Sequence, residues 1–171
     1  SSDLSNGDII SKFCEIPTLR KDFYGAENSG IPAVMSTAND IEESLNLKLD
    51  FAKLGDIGRR GFAVLPVVVQ ETETLEVLLI GYVNAEALRL SLEEKRAVFF
   101  STSRGEIWRK GETSGDWLDL EEVRVNCEQN SLLFLVKKRS SGSCHTKGAD
   151  GKTRSNCYYR RVKSSDLLEF L

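Results

Sequence analysis

A chain of 171 residues and 19.1 kDa suits one folded domain, and its 40% apolar content is enough to build a core. Lys plus Arg number 23 against 26 Asp plus Glu, a net charge of −3, which excludes a globally basic nucleic-acid coat. No apolar run approaches the ~20 residues of a spanning helix, no signal segment opens the chain, and four cysteines are too sparse for a disulfide scaffold. These exclusions lead us to expect a soluble protein of a reducing compartment, the cytoplasm.

Taken in chain order, residues 1–48 read as an N-terminal extension of open role, and 49–171 as the main domain. Ser1 to Gly7 look disordered, and a start without Met points to processing or to a tag remnant. Residues 1–50 hold nine acids and four bases, a net of −5. Asn39-Asp40 can cap a short helix through Leu47, with Ile41, Leu45 and Leu49 on one apolar face. Phe62 to Gln70 predicts a Val-rich strand, with Pro66 tolerable only at an edge or a strand start. A polar turn over 71–74 and a second strand over 76–83 make it a hairpin. Asn84 caps a predicted helix from Ala85 to about Lys95, with Ala87, Leu88 and Leu92 inward. Residues 97–101 predict a third strand, and 117–127 and 131–138 an antiparallel pair turning at Glu128 to Asn130. Ser165 can cap a closing helix bearing Leu167, Leu168 and Leu171. Hairpins with few helices define the expected class, α+β with mainly antiparallel β.

The chemistry concentrates in the second half. Cys127, Cys144 and Cys157 fall within one stretch, and His145, the chain's sole histidine, adjoins Cys144. A thiol is often a small buried hydrophobe. Cys144 stands in Gly-Ser-Cys-His-Thr-Lys and Cys157 in Arg-Ser-Asn-Cys, however, polar settings that fit metal ligands better. Zinc prefers soft sulfur, and three protein ligands leave a fourth position for an activated water. His145 could close the site as a fourth ligand or serve as a proton shuttle, and its position beside Cys144 favours the shuttle. Around these residues, 137–163 carry nine bases and one acid, a net of +8 that suits an anion-facing surface. A second constellation runs through Trp108, Arg109, Lys110, Gly111, Glu112, Thr113, Ser114 and Gly115, preceded by Ser101, Ser103 and Arg104. Its glycines, hydroxyls and cations could cradle phosphate, or form only a polar surface loop.

Together these strings resemble the phosphoribosyl-AMP cyclohydrolase family of histidine biosynthesis. The likeness runs through Ser-Thr-Ser-Arg at 101–104, Trp-Arg-Lys-Gly-Glu-Thr-Ser-Gly at 108–115, the ordered cysteines, Leu65-Pro-Val-Val-Val-Gln70 and Gly81-Tyr-Val-Asn-Ala-Glu-Ala-Leu88, covering about 49–160. The resemblance implies a zinc hydrolase that opens the purine ring of phosphoribosyl-AMP between N1 and C6. It further implies an intertwined homodimer with shared sites, in which Cys127 of one subunit joins Cys144 and Cys157 of the other on zinc. His145 would move a proton, and the two phosphates of the ribotide would meet the basic stretch and the Ser/Thr/Arg loops. Neither nucleic acid nor membrane is an expected partner.

Two departures stand out. Where the family presents Asp-Cys-Asp-x-Asp for magnesium, this chain has Asn126-Cys127-Glu128-Gln129-Asn130. Magnesium wants hard anionic oxygens, so a site of Asn126, Glu128 and Asn130 would be degenerate and weak. The loop 147–152 between Cys144 and Cys157 is also longer than expected. These departures keep two alternatives open: a diverged paralogue hydrolysing another purine ribotide or amidine, and a non-catalytic zinc module that binds nucleotide or RNA, which a closed four-ligand site including His145 would favour.

Overall fold

Alternating valines drive the first strand. In the computed structural model, which describes residues 38–171 (side chains from 41 onward), Leu65–Glu71 form β1 with Val67 and Val69 fully buried. Val77–Val83 form β2, which pairs antiparallel with β1. Pro66 lies in β1 just before its ladder to the opposite neighbour begins at Val67, so the missing N–H costs no bond there. Two short helices precede these strands, α1 over Ala38–Glu43 and α2 over Lys53–Arg59.

Asn84 caps α3, Ala85–Glu94, by accepting the Ala87 N–H at 2.8 Å, and Lys95 ends it in a left-handed turn. The buried residues of α3 are Ala87 and Ser91, whereas Leu92, expected inward, is exposed. Ser91 takes the inward place because its hydroxyl bonds Ala87 O at 2.8 Å and both backbone groups of Val98. Val98–Ser101 form β3 and Glu106–Arg109 form β4, an antiparallel hairpin whose second strand the sequence pattern did not suggest.

Leu118–Val125 (β5) and Leu132–Lys138 (β6) make the expected antiparallel pair. The main sheet runs β2-β1-β6-β5, antiparallel except where β1 lies parallel to β6. One face of the sheet receives α3 and the β3–β4 hairpin over Val67, Val69, Leu78, Leu118, Phe134 and Val136, with Phe99 stacked on Phe134 at 6.2 Å. Gly81 admits that ring, since a Cβ there would sit 2.8 Å from Phe99. The opposite face carries Val68, Ile80 and Leu133 side by side, and Ile80 is 55% exposed.

The closing helix expected after Ser165 is instead a strand. Arg160–Val162 (β7) and Leu168–Phe170 (β8) form a hairpin around a turn in which the Ser164 hydroxyl donates to Asp166. Leu168 N–H donates to Leu45 O and Leu47 N–H to Asp166 O, so extended pairing with residues 45–47 replaces helical bonds. The same pairing stops α1 at Glu43 rather than Leu47 and leaves Ile41, Leu45 and Leu49 exposed rather than on a packed face. Among the described residues, no helix is long and apolar enough to cross a membrane. Cys14 and the segment 1–7 lie outside the described residues.

Candidate functional site

Cys144 and Cys157 come together across a loop zipped by its own backbone. Ser143 and Cys144 N–H both donate to Arg154 O, at 3.0 and 3.1 Å, and Arg154 N–H returns to Thr146 O at 3.1 Å. Gly142 lets the two limbs touch, because a Cβ there would meet Thr153 at 2.5 Å. The long segment 147–152 is the tip of this hairpin, with Gly148 N–H on Lys152 O at 2.9 Å. Below the zip, Cys157 N–H donates to Leu78 O of β2 at 2.7 Å, which ties the loop to the sheet. The result is a pair of sulfurs 3.7 Å apart, with Cys144 buried and Cys157 exposed.

The pair shares its protons unequally. A hydrogen bond from the Cys157 S–H, helped by the Thr146 hydroxyl and N–H, holds Cys144 down to about 5, well below an ordinary thiol. Cys157 is pushed up by that same hydrogen bond and by the negative charge that Cys144 takes on. Lys110 is buried nearby with its ammonium on Asp116 O at 3.1 Å. Burial pushes it down against the opposing pull of Asp116 and both sulfurs.

A carboxylate network braces the loop from β2's edge. Glu76 accepts from the Ser155 hydroxyl at 2.7 Å, the Asn156 amide at 2.5 Å and Lys138 at 3.3 Å, and Lys138 also pairs with buried Glu71. Burial raises the Glu76 carboxyl, but these bonds outweigh it and hold the group below its usual range. Arg154 lies 4.0 Å over the Tyr159 ring and bonds both oxygens of Glu43. Around it, Lys147, Tyr158, Tyr159 and Phe170 line a cleft of about 720 Å³.

Other expected site residues lie apart from the sulfur pair. Cys127 is exposed on the β5–β6 turn, and among the described residues no group of three or more Cys, His, Asp or Glu side chains could hold a metal within this one chain. His145 is not on the thiols. Its ring is 73% exposed, with Nε2 at 2.5 Å from Glu42 of α1. Asn126, Glu128 and Asn130 bond one another: the Asn126 amide donates to Asn130, Asn130 donates to Glu128, and Asn126 Oδ1 accepts from the Asn130 and Ser131 N–H groups. Those oxygens are spent on a turn and carry one charge among them, so the trio does not fit magnesium.

The supposed phosphate cradle divides likewise. Trp108 and Arg109 belong to β4 rather than to a loop: Trp108 packs on Phe99 at 5.4 Å, and Arg109 is paired with Glu94 at 2.8 Å. Gly111 keeps a positive φ of 95° and lies against Trp117, whose N a Cβ would approach to 2.6 Å. Glu112, Thr113, Ser114 and Gly115 are exposed, as are Ser103 and Arg104, while Ser101 is half-buried. Arg60, the residue after α2, donates to Thr102 O and Ser103 O and so holds that loop in place. Arg60, Glu42 and Glu76 escaped the sequence reading because their hydrogen-bond partners in the site lie 42 or more positions away.

Known proteins resemble the stretch of chain that carries these residues. A family model described as phosphoribosyl-AMP cyclohydrolase matches residues 79–159. The chain is 43% identical over 106 residues to the phosphoribosyl-AMP cyclohydrolase of Methanocella arvoryzae, covering 62% of this chain and 83% of that one. It is 38% identical over 120 residues to the protein of the same name from Caulobacter vibrioides, covering 64% and 82%. A bifunctional histidine-biosynthesis protein of Pasteurella multocida shares 41% identity over 102 residues, covering 60% of this chain and 47% of that one. The matched stretch runs from β2 to Tyr159 and takes in both members of the sulfur pair. The chain belongs to the phosphoribosyl-AMP cyclohydrolase family.

Proposed function

We propose that the chain opens the purine ring of phosphoribosyl-AMP at the N1–C6 bond in histidine biosynthesis, with zinc held by Cys144 and Cys157 of one copy and Cys127 of a second. The observation that carries this reading is the sulfur pair, 3.7 Å apart with one member held toward thiolate, in a chain of this family. Two sulfurs suit zinc in kind but not in number, and the exposed Cys127 is free to complete another copy's site. The uncovered apolar face around Val68, Ile80 and Leu133 offers a surface on which that copy could seat. A zinc ion so held would supply Lewis acidity and an activated water near neutral pH.

The chain's own groups do the rest. Water adds at C6, the C6–N1 bond breaks to leave a carboxamide at C6, and N1 departs as an amidine nitrogen, still bonded to C2, that needs a proton, which His145 delivers. Lys147 and its neighbours in the basic loop meet the phosphates, and the flanking Tyr158 offers a stacking face.

The test is direct. Zinc-loaded protein is given phosphoribosyl-AMP while ring opening is followed by absorbance and bound metal is measured in parallel. Cys144→Ala is expected to lose metal and turnover together, and His145→Ala to keep the metal and lose rate by about 10²-fold or more. A folded, metal-loaded protein without turnover would overturn the substrate assignment. The amide-closed turn at 126–130 supports the second reading, a relative acting on a different purine ribotide, which that outcome would favour.

A further inference from the structure

His145 needs something to hold it. Its ring is 73% exposed and lacks the packing that would choose one orientation. The partner it does have comes from α1, a segment outside the residues 79–159 that match the family model. That segment is itself fixed to the C-terminal hairpin. The Tyr159 hydroxyl donates to Glu42 O at 2.9 Å, and Arg160 donates to Ile41 O at 2.9 Å and Ser44 O at 2.6 Å. Glu43 grips Arg154, whose backbone closes the loop carrying Cys144. Glu42 is thus presented to the imidazole by a braced element, with Oε1 at 2.5 Å from Nε2.

A carboxylate can only accept, so the nitrogen facing it carries the hydrogen and the other keeps its lone pair. We propose that Glu42 is a positioning residue: it sets the tautomer and ring orientation of His145 so that Nδ1 is the nitrogen exchanging a proton with substrate. The inference rests on the reading of His145 as the proton-moving group. An exposed pair of this kind contributes little to stability, so its removal separates orientation from folding.

The chain holds a single histidine, and its long-range proton–nitrogen spectrum therefore reports one imidazole. Zinc-loaded wild-type protein is expected to show hydrogen on Nε2 and a bare Nδ1. Glu42→Ala is expected to mix the two tautomers and lower kcat by about 10- to 100-fold, with KM and metal content unchanged. Glu42→Gln keeps an accepting oxygen and is expected to restore the single tautomer and most of the rate. A spectrum unmoved by Glu42→Ala, or a Glu42→Gln protein that behaves like Glu42→Ala, overturns the inference. A mixed spectrum with kcat unchanged overturns instead the proton-transfer role of His145.

Discussion

The sheet and the cysteine loop are held together by different forces. In the sheet, Val67, Val69, Phe99, Phe134 and Val136 are dry, and stability comes from apolar area removed from water. In the loop 139–157, the only fully enclosed side chains are small or polar, and cohesion comes from backbone zips, the Glu76 network and the Arg154 stack. Burial tolerates sliding and repacking, whereas a hydrogen-bond zip specifies positions to fractions of an ångström. The two sulfurs are placed by the second kind of contact and anchored on the first, through Cys157 N–H on Leu78 O.

That contrast can be broken at its strong end first. Phe134→Ala empties a fully buried ring position and is expected to cost about 3–5 kcal/mol, seen as a large drop in the thermal midpoint by circular dichroism. A midpoint near wild type would mean that the sheet core does not carry the fold. Gly111→Ala forces a side chain onto the Trp117 backbone at positive φ, and urea titration should register a loss above about 1 kcal/mol. Neutrality there would show that the 111–117 turn gives way freely.

Glu76→Ala is expected to act on the loop alone. If zinc is held as proposed, its retention falls about 10- to 100-fold in chelator competition while the melting midpoint moves little, because the bonds to Ser155, Asn156 and Lys138 are lost and the apolar core is untouched. Equal loss in both measurements would erase the distinction between the regions. The smallest effect is one of pH. The Glu76 carboxyl lies below its ordinary value of 4.5 when folded, so its support is complete above that value and fades as pH falls through the lower folded one. Hydrogen exchange at 153–157 should quicken on acidification through that window before the amides of β1 and β6 do.

Legibility followed the range of the forces. The β1–β2 and β5–β6 hairpins and α3 were readable because valine alternation and the Asn84 cap act between near neighbours. The end of the chain was misread as a helix because Leu167, Leu168 and Leu171 fit a helical spacing, while the bonds that override it come from residues 45–47, more than a hundred positions away. Among the candidate residues, the polar contexts of Cys144 and Cys157 set them apart in the sequence, and the structure places their sulfurs 3.7 Å apart. The diversion of Arg109 to Glu94 and of Trp108 to the core was not, since a strand partner, not the local motif, decided which way β4 faces.

By itself the sequence determined the candidate side chains: three thiols in one stretch, a single imidazole and a basic setting, all properties that survive any folding. Tertiary structure alone decided their company. It joined Cys144 to Cys157, left Cys127 outward, closed Asn126 and Asn130 on each other, and delivered Glu42 to His145. The physical reason is that a hydrogen bond is won or lost over about an ångström, and separations of that size between distant residues are set only once the intervening chain has packed.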